Sequence, residues 1–181
     1  MMTPARILGT FESLPGLTSR DMRWLHKHGV EAEALPLHGI KAAYVHLFGS
    51  RFLFDQHYQH DGALRVLTML SFDLLNEPVD ILVWNPRTDV IASWLGVAWS
   101  WGEETILRPR LNYEALPIYR TPLGRLRAKL DGIVPLRPRG LAHHLLDVPS
   151  LVAEDWAHRS ELQRLLRASL PRVLVRAEGT R

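Results

Sequence analysis

Cysteine is absent from this chain of 181 residues, which excludes disulfides, Cys-ligated zinc, iron–sulfur clusters and thiol nucleophiles. Lysine is scarce: Lys27, Lys41 and Lys129 are the only three among 22 basic residues. No apolar run approaches the roughly 20 residues that span a bilayer, so no membrane partner is expected. The opening MMTPARILGTFESLPG has no apolar stretch of signal-peptide length and carries Glu12. Secretion is therefore not indicated, and a cytoplasmic location is the expectation. Also missing are a Gly-rich phosphate loop, a GxSxG elbow, an HExxH pair and a Gly-x-Gly-x-x-Gly turn. No cofactor is expected, and the reading leans away from an enzyme.

What is present is an ordinary globular composition, 46% hydrophobic and 23% charged, at a length suited to a single domain. The net charge of +3 hides an asymmetry. Residues 1–100 hold 8 basic and 10 acidic side chains, whereas residues 101–181 hold 14 and 9. Most of the excess lies in 108–139, where Arg108, Arg110, Arg120, Arg125, Arg127, Lys129, Arg137 and Arg139 meet only Glu114 and Asp131. Clustered positive charge attracts phosphate backbones or an acidic protein partner. The plainer alternative is a solvated basic face.

Local signals place the elements. Thr18 or Ser19 caps a short helix over 19–28, Asp21 suits its positive dipole end, and Gly29 stops it. The run AAYVHLFGSRFLFD alternates Tyr44, His46 and Phe48 with Val45 and Leu47, turns at Gly49-Ser50 and continues in Phe52–Phe54. That pattern predicts a β-hairpin. Residues 63–72 form a continuous apolar run, read as a buried strand in preference to a helix. A second strand follows in VDILVWNP, and VIASWLGVAWSW either pairs back or starts a helix. Three strands over 63–96 make an antiparallel meander.

In the last third, Thr121-Pro122 starts a helix with a cap and a first-position proline. Leu123, Leu126 and Leu130 line one side until Gly132, while Arg125 and Lys129 present a basic face on the other. IVPL at 133–136 suggests an edge strand, RGLAHHLLDVP a short helix, and 153–169 the longest helix, with RVLVR as a final strand. The expectation is one α+β (or α/β) domain, with a largely antiparallel sheet covered by C-terminal helices. Within it, 1–40 is a helical segment, 41–100 strand-rich and 101–181 helix-rich and basic.

Two clusters suggest metal chemistry. DQHYQHD places Asp55, His57, His60 and Asp61 within one loop, and imidazole with carboxylate suits zinc, manganese or iron. On the long helix, Glu154 and His158 lie four apart and Asp155 and His158 three apart, so they share a face. A small metal-dependent hydrolase using Glu154, Asp155 and His158, with His57 or His60, is the enzymatic alternative. The ordinary readings are a polar loop and a first-turn acid beside a surface histidine. The six tryptophans, Trp24, Trp84, Trp94, Trp99, Trp101 and Trp156, serve as core packing or as exposed stacking and assembly surfaces.

The succession VDILVWNPRTD, ASWLG, ALPIYRTPLGRLRAKLDGIVPL and LVAEDWAHRSELQRLL resembles an uncharacterised family of small bacterial proteins over about residues 63–181. Its most distinctive pieces are Arg120–Leu123 with Asp131–Ile133, and Ala153–Asp155 with His158. The resemblance implies no activity. The order of strand pair, basic helical segment and hydrophobic strand is also similar to the core of bacterial primases and their TOPRIM domain. That family holds magnesium with a Glu after one strand and an Asp-x-Asp after another. Here Ile133–Leu136 ends in Pro-rich, basic residues and no Asp-x-Asp occurs, so this likeness implies at most binding without catalysis. The leading expectation is a non-enzymatic binding protein. It associates with nucleic acid, or with a protein of nucleic-acid metabolism, through Arg108, Arg110, Arg120, Arg125, Arg127 and Lys129. A subunit of an oligomer or larger assembly with a Trp-rich interface is the remaining alternative.

Overall fold

The computed structural model describes residues 2–55, 62–137 and 141–168. Helix α1 (Pro4–Glu12) has Pro at its first position, where the missing amide is not needed. Helix α2 (Ser19–Lys27) is held by a full capping box: the Thr18 hydroxyl accepts from the Asp21 amide, and the Asp21 carboxylate accepts from the Thr18 amide. The hairpin forms as expected from β1 (Lys41–Phe48) and β2 (Arg51–Phe54), around Gly49 at φ 62°. Strands β3 (Leu64–Phe72), β4 (Pro78–Asn85) and β5 (Val90–Ser93) form the antiparallel meander. One feature was not anticipated: β2 meets β5 in parallel at Arg51 and Ser93, while β1 pairs antiparallel with β3. The five strands thereby close into a barrel in the order β1-β2-β5-β4-β3.

Alternation along the strands sorts the side chains. Val45, Phe52, Val66, Leu70, Ile81, Val83 and Ala92 form one buried cluster, joined by Ile7 and Phe11, one turn apart on α1. The opposite face of β3 and β4 is also covered. Leu67, Met69, Leu82 and Trp84 pack there against Leu25, Val30, Trp101, Leu126 and Val134. Burial on both faces from Val66 to Ser71, with Thr68 and Ser71 among the buried residues, is why this strand lacks a clean apolar–polar alternation.

The remaining elements are β6 (Ser100–Trp101), α3 (Leu107–Asn112), β7 (Ala115–Pro117), α4 (Pro122–Arg127), β8 (Val134–Pro135), α5 (Leu141–His144), β9 (Ser150–Val152) and α6 (Trp156–Ala168). β6 pairs antiparallel with β8, and β7 pairs in parallel with β9. The α4 helix stops at Arg127, earlier than Gly132, because Lys129 and Leu130 adopt positive φ of 55° and 67°. The last helix starts at Trp156 rather than Ala153, because Asp155 caps it by accepting the His158 amide. RVLVR lies outside the described residues. Of the Trp94, Trp99 and Trp101 group, Trp99 and Trp101 are core residues, and Trp94 packs edge-on against Phe54 at 5.5 Å.

Asp80 joins the barrel to these later elements. Its fully buried carboxylate accepts four backbone amides, from Ile81, Leu95, Val97 and Ala98, at 2.8–3.2 Å. These contacts turn the chain out of β5 toward β6, where the Trp101 indole donates to Leu70 O and the Ser71 hydroxyl to Ser100 O. Asp80→Ala leaves the amides of Val97 and Ala98 without an acceptor and is expected to cost on the order of 3 kcal/mol or more, read as a lowered urea midpoint. A midpoint unchanged within error would show that water replaces the carboxylate.

Candidate nucleic-acid interface

Each of the six cations expected to contact nucleic acid has a partner inside the fold, and Arg139 lies outside the described residues. Arg108 pairs with Glu114 at 3.1 Å and Asp131 at 3.0 Å. Arg110 donates to His144 O at 2.6 Å, Arg127 to His28 O at 2.6 Å, and Lys129 pairs with Glu31 at 2.8 Å. Arg120 forks onto both oxygens of Asp155, at 2.7 and 3.1 Å, while its amide donates to Glu154. Arg120–Leu123 and Ala153–Asp155 with His158, the pieces that carried the family resemblance, thus meet in one ionic joint. Gly124 fits this joint because a Cβ there would lie 2.7 Å from the Glu154 carboxylate.

Arg125 departs furthest from expectation. The basic face with Lys129 does not form, because Arg125 is only 2% exposed. Its guanidinium donates to Gly132 O at 2.8 Å, Leu130 O at 3.0 Å and Glu104 at 2.7 Å, and its centre lies 4.4 Å from the Trp101 ring centroid. A Cβ at Gly102 would lie 2.6 Å from the Arg125 Nε, so this cradle needs glycine. Burial lowers the Arg125 pKa and Glu104 opposes that shift; a guanidinium nonetheless stays charged. Arg125→Met alone strands Glu104 and is expected to destabilise by about 3–5 kcal/mol, whereas Arg125→Met with Glu104→Leu should recover much of the loss. Chemical denaturation of both variants separates these outcomes.

The described metal candidates do not converge. Among the described residues no group of three or more His, Asp or Glu side chains could hold an ion. His57, His60 and Asp61 lie outside the described residues, and Asp55 is buried at the end of β2. The buried His158 accepts the Glu154 amide at Nδ1, 3.2 Å away, and its own amide donates to Asp155. Glu154 and Asp155 are engaged by Arg120, whose guanidinium holds Asp155 well below the usual carboxylate range. Burial, with Arg120, lowers the His158 pKa, against the opposing pull of Glu154, Glu161 and Asp155. Burial likewise lowers that of His144, which stacks on Trp99 at 4.2 Å. Both groups resist a proton that the unfolded chain accepts below about pH 6.5, so stability is present above that pH and declines toward pH 5. His158→Asn, keeping an acceptor near Nδ1, should flatten this decline in a urea-midpoint series.

A different surface has the features of a nucleic-acid contact. On β1, Tyr44, His46 and Phe48 point away from the barrel interior, opposite Arg65 of β3 and Leu53 and Arg51 of β2. Tyr44 is 37% exposed, Phe48 60% and Leu53 59%. Arg65 continues this row into a cleft of about 500 Å³ between α2, the start of β3 and the turn after β4. There Arg65 grips Asp21 through both nitrogens, at 2.8 and 2.5 Å, and holds the Asp21 carboxyl well below its usual range. Trp24 lines the cleft, with His28 stacked on its ring at 3.9 Å. Arg20 and Arg87 line it too, and make no ion pair among the described residues. Arg20, Arg23 and Lys27 fall at i, i+3 and i+7 and extend the positive charge along one face of α2.

The alternation that places the aromatics outward was visible in the sequence. What was not visible is which alternate set faces inward, since both sets are apolar. Comparison with protein-family models, with curated proteins and with solved structures gave no match.

Proposed function

We propose that the protein binds single-stranded nucleic acid across the outer face of β1 and β2 and the basic ridge of α2, without base-sequence readout. The exposed ring of Phe48, 60% accessible on the outer face of the hairpin beside Leu53 and Arg51, carries this reading. A base of an extended strand can stack on an exposed ring of this kind. Every base has a π-face, so such stacking tolerates any sequence. The ridge of Arg20, Arg23 and Lys27, with Arg87, supplies phosphate contacts that raise affinity without specifying bases. The proposed contact surface is centred away from Arg108, Arg110, Arg120, Arg125, Arg127 and Lys129, each of which is held by at least one acceptor within the fold. Duplex DNA buries its base faces and offers this ring nothing to stack.

Fluorescence anisotropy of a labelled single-stranded oligonucleotide, across a salt series, tests the reading. Affinity should fall steeply with salt, and the duplex of the same sequence should bind more weakly. Phe48→Ala, on the surface, should weaken binding by about 5- to 150-fold. Arg23→Glu should flatten the salt slope. Absence of binding at low salt, or indifference to Phe48→Ala, would overturn the proposal.

A further inference from the structure

We infer that the cleft between α2 and the β3–β4 end of the barrel is a subsite for one unstacked nucleotide, taking the base against Trp24 and its phosphate on Arg20 and Arg87. The inference rests on the proposed single-strand reading but concerns a separate pocket with its own ligand, a nucleoside monophosphate. The cleft, at about 500 Å³, falls within the roughly 300–1,000 Å³ of small-ligand sites.

Its aromatic wall is fixed before any ligand arrives. His28 stacks on the Trp24 ring at 3.9 Å and 27° and contacts Trp24 O through Nδ1 at 2.7 Å. Trp84 meets the same indole edge-on at 6.0 Å. A ring held in this way loses little freedom when a base stacks on it.

The backbone that carries the cations is fixed as well. Arg87 belongs to a tight turn in which the Asn85 side chain accepts the Arg87 amide at 3.0 Å, and Asn85 O accepts the Asp89 amide at 2.9 Å. Asp89 in turn accepts from the Trp84 indole at 3.2 Å, tying the turn to the aromatic wall. Arg20 projects from the first turn of α2, whose capping box already satisfies the Thr18 and Asp21 amides. The one acid among the lining residues, Asp21, has both oxygens bound by Arg65 and one also by Thr18. It is therefore neutralised, and Arg20 and Arg87 are left to attract an anion. A planar apolar wall beside two guanidinium groups suits a base carrying a phosphate better than either part alone.

Isothermal titration of the full chain with AMP, adenosine and inorganic phosphate tests this. AMP should bind at least about tenfold more tightly than adenosine or phosphate, and Arg87→Ala should weaken AMP by about 10- to 100-fold. Phe48→Ala, on the barrel face, should leave AMP binding unchanged. Equal binding of phosphate and AMP would remove the base from the site and overturn the inference, as would AMP binding indifferent to Arg87→Ala. If an oligonucleotide binds through Phe48 while AMP does not bind, the inference fails and the single-strand reading stands. If AMP binds as described while no oligonucleotide does, the cleft stands as a mononucleotide site and the strand reading fails.

Discussion

The buried carboxylate of Asp80 is the constraint on which the rest of the architecture depends. A barrel strand that is apolar on both faces needs a cover on each, and in β4 the outer cover combines α2 and the segment after it, through Leu25 and Val30, with chain that follows β5, through Trp101, Leu126 and Val134. That chain must leave the barrel within a few residues, exposing amides that no strand partner takes. Asp80 accepts Leu95, Val97 and Ala98 at this exit, while Trp101 and Ser71 fasten the returning chain to β3. Without that carboxylate the Ala98 amide would be buried unpaired, at a cost comparable to losing a hydrogen bond, and the amides of Leu95 and Val97 would have only water to bond. The two apolar clusters on either side of β3 and β4 are therefore joined by a polar device rather than by apolar packing alone.

The same logic explains the arginine-rich composition of the second half. A guanidinium offers five donors in a planar fork, which suits bidentate carboxylate pairing and carbonyl capping better than an ammonium does. Arg120 uses its fork on Asp155, and Arg125 closes onto two carbonyls and Glu104 over the Trp101 ring. Short elements such as α4, β7 and β9 bury little area each, so their junctions are held by charge-assisted hydrogen bonds. A surplus of positive charge in a segment is then a property of assembly, and its position in the sequence says little about where anions bind.

Legibility of the fold followed the range of the interaction. Capping at Thr18 and Thr121, the Gly49 hairpin and the β3–β5 meander depend on residues within a few positions of one another, and the sequence reading named all of them, with Ser19 left as a second cap and a helix left as a second state for the β5 segment. The parallel contact of Arg51 with Ser93 and the pairing of β7 with β9 join distant segments through backbone groups that carry no side-chain signature. Helix α1 carries at Thr3-Pro4 the same start that marks α4, with Ile7 and Phe11 four apart, but it has neither an acidic first turn nor a side-chain cap bond, and the sequence reading gave it no bounds. Arg125 was misplaced for a related reason: helical spacing fixed its angular position, but not that Glu104, Gly132 and Trp101 would close over it.

The candidate surface shows the complementary limit. Alternation in β1 separates two sets, and sequence alone makes Val45 and Leu47 as plausible on the outside as Tyr44, His46 and Phe48. Only the closed barrel decides, because Ala43 and Val45 pack with Phe52 in its buried cluster, which leaves Tyr44, His46 and Phe48 on the outer face. Exposing Phe48 and Leu53 together forgoes burial worth about 1.5–3 kcal/mol per large side chain. The fold does not need that face for its own stability: three apolar clusters are already filled, and Phe11, Phe52, Trp84 and Trp101 take the interior positions that favour large rings. This exposed row and a cleft whose Arg20 and Arg87 make no ion pair among the described residues are what the proposed reading rests on. Single-stranded nucleic acid combines both complementary features along one continuous chain.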